Sequence, residues 1–205
     1  MPAYAATVRR APRTLVESEQ SRLLKLTGEH RRGFRDHVIL SIALGTALRE
    51  HEIAALDVGD IVNEHGRIRR RVPLRVFKRS NMDVESQQVF FPDDLVYKLN
   101  KFIVWKKSHG ESVVPDAPLF VSRLGKRIAT RTLRLMFKTW QERAGFDQPF
   151  RFHALRHTGI TNVYKRTKDV LLAQRVARHK SIQSTMIYAS PSDQDVEDAM
   201  RDQPC

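Results

Sequence analysis

Apolar residues recur every three or four positions along most of this chain, which is the periodicity of amphipathic helices. The apolar run at 38–44 is typical of a helix that is buried on most sides. Thr14 and Glu17 have the spacing of a capping box, so the first helix is predicted to begin at Thr14. The whole pattern predicts helices over residues 14–26, 31–48, 50–56, 92–107, 130–144, 153–166, 170–177 and 181–189.

Two segments have a different pattern. Residues 67–78 and 87–91 are rich in valine, isoleucine, phenylalanine and arginine, and turn residues flank both of them. Such segments are typical of short strands, so we expect two or three antiparallel strands with a turn at 80–83. The predicted fold is therefore mainly α with a small antiparallel β-sheet, an α+β fold.

The two ends of the chain differ from the body in charge. Residues 1–13 carry three arginines and no acid, and they are predicted to form a disordered basic arm. Residues 14–190 contain all but one of the predicted elements, without an internal repeat or a long linker, and are predicted to form one domain. Residues 191–205 form an acidic tail, in which a last short helix is expected.

Charge and cysteine content narrow the classes of function. Lys and Arg number 36 against 23 Asp and Glu, which gives a net charge of +13 and favours a polyanionic partner. No apolar run approaches the ~18 residues of a membrane span, and no predicted helix joins a basic face to a bulky apolar one. Cys205 is the only cysteine, which excludes an internal disulfide framework and fits a reducing cytoplasm.

A cluster of histidine and arginine begins one predicted helix. His153 and His157 are four residues apart and share a helix face, so a zinc pair is one interpretation. The zinc protease pattern needs Glu after the first His, and Ala154 stands there. The alternative is an anion site in which Arg156 binds a phosphate through its planar guanidinium.

Three motifs occur in a fixed order along the chain. Arg49 precedes Glu52 by three residues, H-x-x-R-H spans 153–157, and Tyr188 follows His179 by nine residues. This order and spacing resemble the phage integrase, or tyrosine recombinase, family. The extended piece at 119–122, followed by a predicted helix, also resembles a segment of that family.

The resemblance implies a set of catalytic residues. Arg49 and Arg156 would bind the nonbridging oxygens of the scissile phosphate, and Tyr188 would be the nucleophile. Lys78 matches the lysine of the family's strand hairpin, which protonates the leaving 5′-oxygen, and Arg79 is its nearest rival. The matching histidines are His153 and His179. Supporting roles fall to Glu52, which pairs with a basic residue, and to His157, which packs or hydrogen-bonds behind Arg156.

The chemistry explains why such residue types are needed. The transition state places negative charge on the equatorial oxygens of phosphorus, which two guanidiniums can bind in fixed geometry. A free phenol has a pKa of ~10, so it needs a base or a positive site to attack at neutral pH. The phosphotyrosine product keeps the bond energy, so rejoining requires no ATP, and the cationic cluster replaces a metal. We therefore expect no cofactor.

The resemblance implies site-specific recombination of double-stranded DNA through a 3′-phosphotyrosyl link, with a dimer on each site and a tetramer in synapsis. Accessory proteins are possible partners, and the expected location is the cytoplasm, at the nucleoid. A type IB topoisomerase-like enzyme and a non-catalytic DNA-binding regulator are the alternatives.

DNA contacts are predicted on the face of helix 130–144 opposite its apolar side and next to Lys78: Arg131, Arg134, Lys138 and Arg79.

The chain also departs from the family. Arg178 and Ala47 stand where the family often has glycine, which is expected to alter the loops beside the catalytic residues. Few residues precede the first helix, so we expect either a single-domain type without the N-terminal DNA clamp or a fragment of a longer protein. The basic arm (Arg9, Arg10 and Arg13) would partly compensate, and Val196 and Met200 could anchor the tail on a neighbouring protomer.

Overall fold

The elements of the chain are taken from a computed structural model that describes residues 12–75 and 87–189, together with residues 197, 200 and 201. The described residues are mainly helical and contain one two-stranded antiparallel sheet, which confirms the predicted α+β class. The elements in chain order are α1 (Glu17–Glu29), α2 (Phe34–Thr46), α3 (Glu50–Ala55), α4 (Val58–Ile61), β1 (Arg71–Pro73), β2 (Gln88–Phe90), α5 (Asp93–Ser108), α6 (Thr130–Arg143), α7 (His153–Thr167), α8 (Val170–Ala177) and α9 (Gln183–Met186).

Helix α2 is the centre of the hydrophobic core. Its residues Val38, Ile39, Leu40 and Ile42 are fully buried, because α1, α5 and α7 pack around it. A helix enclosed in this way has apolar residues on all sides, which is the reason for the apolar run that only Ser41 interrupts. None of the described helices is long and apolar enough to cross a membrane.

Helix α7 approaches α2 unusually closely at Gly159. A Cβ atom at this position would lie 2.5 Å from the carbonyl oxygen of Leu44, so only glycine permits the contact. Gly159 lies one turn beyond Arg156. The close approach therefore holds the first turn of α7 against the end of α2, where the chain turns towards α3.

Helix α6 is amphipathic, as its sequence predicts. Leu133, Met136, Phe137 and Trp140 are buried on one side. The indole nitrogen of Trp140 donates a 2.9 Å hydrogen bond to the buried carboxylate of Asp36 in α2, which ties the two helices together. The opposite side of α6 faces solvent.

The sheet is shorter than the sequence predicts. Val72 pairs with Val89, and both are buried while their strand neighbours are exposed, which is the alternation of a sheet with one covered face. Val62 and Ile68 form an isolated bridge rather than a further strand. The predicted turn at 80–83 lies outside the described residues.

The predicted start of the first helix is wrong. Helix α1 begins at Glu17, not at Thr14, and the side chain of Glu19 accepts a 2.9 Å hydrogen bond from the backbone N–H of Val16. The N–H of Leu15 donates instead to the hydroxyl of Thr158 in α7. This long-range contact holds the segment before α1 extended, which local spacing could not reveal.

Candidate active site

The motif residues lie far apart in sequence and are gathered where four helix ends meet. Arg49 is the residue before α3, and the H-x-x-R-H motif occupies the first turns of α7. His179 follows the end of α8, and Tyr188 follows α9. The packing of α7 against α2 and α8 brings these ends together.

Arg156 is buried at the base of this cluster, with 2% of its surface exposed. Its guanidinium donates to the carbonyl oxygens of Ala47 and Ala177, so it joins the end of α2 to the end of α8. A guanidinium has five N–H groups, which leaves others to bind an anion. Burial, together with the charge of Arg49, lowers the pKa of Arg156 to about 9.

Arg49 is the more accessible arginine, with 18% of its side chain exposed. The carboxylate of Glu52 is fully buried. It accepts a 2.9 Å hydrogen bond from the guanidinium of Arg49 and a 2.7 Å hydrogen bond from the backbone N–H of Arg49. The predicted pairing of Glu52 with a basic residue therefore has a defined geometry. A second pairing was not predicted: the same carboxylate lies 2.5 Å from the guanidinium of Arg178.

The two positions where the family often has glycine both adopt the left-handed conformation. Ala47 has φ of 53° and Arg178 has φ of 54°, and each is the residue that ends a helix. Both residues thus adopt the backbone conformation that glycine favours, and their expected effect on the loops stays a prediction. The side chain of Arg178 instead adds a buried cation to the cluster.

The hydroxyl of Tyr188 is hydrogen-bonded to Nδ1 of His157. Sequence reasoning placed His157 behind Arg156, but the structure places it against the predicted nucleophile. Burial, and then the nearby His153 and Arg156, lower the pKa of His157 to about 4, so its ring is neutral at pH 7. Burial raises the pKa of Tyr188, which Arg156 partly offsets, so the phenol keeps its proton in the free protein.

His179 is a second histidine whose ring lies near that of Tyr188. The two rings are stacked at 6.4 Å between centroids. Nδ1 of His179 lies 3.0 Å from the hydroxyl of Thr185, a buried residue that sequence reasoning missed, although its place three residues before Tyr188 was a signal. Burial and the charge of Arg156 lower the pKa of His179 to about 4.

His153 packs edge-on against His157, with 4.5 Å between ring centroids. Burial, then Arg156 and Arg49, lower the pKa of His153. Within residues 12–75 and 87–189, no three His, Cys, Asp or Glu side chains are grouped as a metal site requires.

The predicted DNA-contacting residues have different surroundings. Arg131, Arg134 and Lys138 are all exposed on α6. Arg134 is paired with Glu50, and Lys138 lies 3.8 Å from Glu142. Lys78 and Arg79 lie outside the described residues.

Comparison with known proteins agrees with the motifs. Residues 13–195 match the Phage integrase family, and the chain therefore belongs to that family. A tyrosine recombinase XerC from Vibrio cholerae is 26% identical over 180 residues, which are 88% of this chain and 54% of the relative. A XerC from Vibrio vulnificus is 28% identical over 178 residues, 86% of this chain and 52% of the relative. The chain thus spans about half the length of these relatives.

Solved structures share the fold. The XerA recombinase superposes with a TM-score of 0.75 at 24% identity, over 96% of this chain and 67% of that one. The catalytic domain of bacteriophage HP1 integrase superposes with a TM-score of 0.59 at 19% identity, over 96% of both chains. The described fold is therefore that of a tyrosine recombinase catalytic domain.

Proposed function

We propose that this chain cleaves and rejoins DNA as the catalytic domain of a site-specific recombinase, with Tyr188 as its nucleophile. The observation that carries the proposal is the surroundings of Tyr188. Its hydroxyl contacts the neutral ring of His157, and the buried cations Arg156 and Arg178 lie in the same cluster with Arg49. A phenol with a base on one side and guanidiniums nearby suits attack on a phosphodiester.

In the proposed step the phenolic oxygen of Tyr188 forms a bond to the scissile phosphorus, and the bond from phosphorus to the 5′-oxygen breaks. The phenol proton passes to Nδ1 of His157, which can accept it because the ring is neutral. The product is a 3′-phosphotyrosyl link and a 5′-hydroxyl. A 5′-hydroxyl from a partner duplex reverses the step and joins the exchanged strand.

The two arginines of the family motifs have unequal roles in this proposal. Arg49 is accessible and offers its remaining N–H groups to a nonbridging oxygen. Arg156 is fixed by two backbone carbonyls, so its remaining N–H groups point in a set direction. Preorganised donors of this kind stabilise charge without rearrangement during the reaction.

The histidines complete the anion site. When Nδ1 of His179 accepts a hydrogen bond from the Thr185 hydroxyl, the neutral ring carries its own proton on Nε2, from which it can donate to a phosphate oxygen. His153, at the first position of α7, is proposed to act in the same way. Lys78, with Arg79 as its rival, stays the predicted donor to the leaving 5′-oxygen.

Double-stranded DNA is the proposed substrate. The net charge of +13 favours a polyanion, and the exposed α6 face supplies cations beside the cluster. Solved structures with this fold include the XerH recombinase bound to its difH substrate, with a TM-score of 0.71, and the Tn1549 integrase with circular intermediate DNA. A chromosomal or mobile-element site would place the chain at the nucleoid.

We further propose a dimer on each DNA site and a tetramer in synapsis, held by the acidic tail of one protomer on the next. A groove of about 1460 Å³ lies between α2, β2, α5, α7 and α8. Its lining includes the exposed apolar Leu171 and Leu172 and several cations, which complement the acidic tail at 191–205. The Lys and Arg residues on its wall are Arg71, Lys98, Arg166, Arg175, Arg178 and Lys180.

Covalent capture tests the activity. The parent chain and the Tyr188→Phe variant are expressed in bacteria, lysed in denaturing detergent, and the protein-linked DNA is sequenced. We expect linked DNA from the parent and from a Tyr164→Phe control, and none from Tyr188→Phe. Linked DNA from Tyr188→Phe at the parental level would refute the assignment of the nucleophile.

The same reads test the assembly. Break points that fall in pairs on opposite strands, within inverted repeats, indicate one protomer on each half of a site. Single break points without sequence preference, together with relaxation of supercoiled plasmid, would instead indicate a topoisomerase and contradict the recombinase proposal.

A further inference from the structure

Arg178 is a buried cation at a position that is costly for any residue except glycine. It ends α8 with φ of 54°, a conformation that a Cβ atom disfavours. Its side chain is 1% exposed, and its guanidinium is bonded to a carboxylate. It contacts the cluster through the carboxylate of Glu52, which lies 126 positions earlier in the chain.

Glu52 links this cation to Arg49. One carboxylate oxygen, Oε1, accepts from the guanidinium of Arg49 at 2.9 Å. The other oxygen, Oε2, accepts from the backbone N–H of Arg49 at 2.7 Å and from the guanidinium of Arg178 at 2.5 Å. The buried carboxylate is thus held between two guanidiniums, and both of its oxygens are bonded.

Arg178 determines the net charge of the group formed by Arg49, Glu52 and Arg178. An Arg49–Glu52 pair alone carries no net charge, so the carboxylate would offset the attraction of Arg49 for a phosphate. With Arg178 the three groups carry one net positive charge, in surroundings where charge interacts strongly because water is excluded. Arg178 also bonds the oxygen that accepts the backbone N–H of Arg49, and so restricts how Glu52 can turn.

We propose that Arg178 is a positioning residue: by holding Glu52, it orients Arg49 towards the scissile phosphate and keeps the site cationic. This inference rests on the proposed function. The ion pair with Glu52 fixes the side chain of Arg178 at a position where the backbone is left-handed.

The experiment compares two substrates with one scissile bond. A nicked duplex that carries the break point found by covalent capture is made with a normal phosphodiester or with a neutral methylphosphonate at that bond. On the phosphodiester, Arg178→Gly should form the covalent complex roughly tenfold or more slowly than the parent, at similar DNA affinity. On the methylphosphonate, which demands less stabilisation of negative charge, the difference between the two proteins should shrink to about threefold or less.

Two further variants act as controls. Lys168 is a cation that also ends a helix with φ of 54°, but it is exposed and lies outside the cluster, so Lys168→Gly should cleave both substrates at the parental rate. Arg178→Lys keeps the positive charge but lacks the planar guanidinium. It should recover part of the cleavage rate that Arg178→Gly loses on the phosphodiester.

The outcomes are separable. Equal rates for Arg178→Gly and the parent on the phosphodiester would overturn the inference while leaving the proposed function intact. An equal loss on both substrates, with no recovery in Arg178→Lys, would show a purely structural role. Absence of a covalent complex with the parent on either substrate would instead refute the proposed function itself.

Discussion

Two cationic regions of this chain use the same residue types in opposite ways. In the buried cluster, Arg156 donates to two backbone carbonyls and Arg178 to a buried carboxylate, so each guanidinium has a fixed place. On the exposed face of α6, Arg134 and Lys138 pair with acids at the surface. Water screens such surface pairs and side-chain entropy opposes them, so they contribute little to stability.

Buried and exposed cations are suited to different tasks in this fold. Buried guanidiniums cannot move to find a ligand, so they suit a transition state whose geometry is fixed. Exposed cations can exchange a weak surface partner for a DNA phosphate, and each exchange adds a salt-dependent increment to binding. We therefore expect substitutions in the first region to change the cleavage rate and substitutions in the second to change affinity.

The largest effect is expected from Arg156→Lys. A lysine cannot span the carbonyl oxygens of Ala47 and Ala177, so at least one buried acceptor loses its partner, at a cost of about 1–3 kcal/mol. Covalent complex formation should fall by roughly a hundredfold or more because the site no longer has a fixed donor to the phosphate. Urea unfolding and cleavage of the nicked duplex measure the two effects.

Arg131→Lys is the matched control for this substitution on the exposed face. It should leave both the urea midpoint and the cleavage rate unchanged, since a surface arginine is not held by buried partners. If Arg156→Lys unfolded at the same urea concentration as the parent, the two carbonyl contacts would contribute nothing to stability.

A smaller effect is expected when the stability of the fold is measured at decreasing pH. Burial, followed by neighbouring positive groups, lowers the pKa of His157 and His179 to about 4, while an unfolded histidine has a pKa of ~6.5. Below pH ~6.5 the unfolded chain therefore binds protons that the folded chain excludes, and stability falls as the pH decreases towards about 4. Urea midpoints between pH 7 and pH 5 measure this slope.

A histidine substitution identifies the source of the slope. His179→Asn should have a shallower dependence on pH than the parent, whereas His65→Gln, at a histidine whose side chain is 74% exposed, should keep the parental slope. Parallel curves for the parent and His179→Asn would show that burial of this ring does not couple stability to pH.

The smallest effect per residue is expected on the α6 face. Neutralising Arg131, Arg134 and Lys138 together should reduce the slope of log K against log salt by up to about three, at ~0.9 for each phosphate that the protein no longer neutralises. Neutralising Lys25, Lys101 and Lys107, which are exposed on α1 and α5, is the matched control and should leave the slope unchanged. An unchanged slope in the α6 variant would show that this face does not contact DNA phosphates.

Much of the fold could be predicted from periodicity because its helices are amphipathic or wholly apolar. The predicted bounds of α8 agree with the structure, and those of α3, α6 and α7 differ by one residue at the end. The start of α1 could not be predicted, because its N-terminal segment is held by Thr158 in α7. The four-residue helix α4 is too short to have a periodicity of its own.

The sequence could predict which residues form the candidate site, but not which of them contact one another. The order and spacing of the motifs identified Arg49, Arg156 and Tyr188, because cleavage of a phosphodiester requires those residue types. The bond between His157 and Tyr188 depends on how α9 packs near α7, which no local pattern encodes. Arg178 was noticed only as a departure, since a buried ion pair between distant residues is invisible in one sequence.

The proposed nucleophile is tested by identifying the residue that carries DNA. The captured complex is digested with nuclease and protease, and the peptides are sequenced by mass spectrometry. We expect a nucleotide joined through a 3′-phosphate to Tyr188 alone. A nucleotide on another residue, such as Tyr164 or Tyr97, would contradict it.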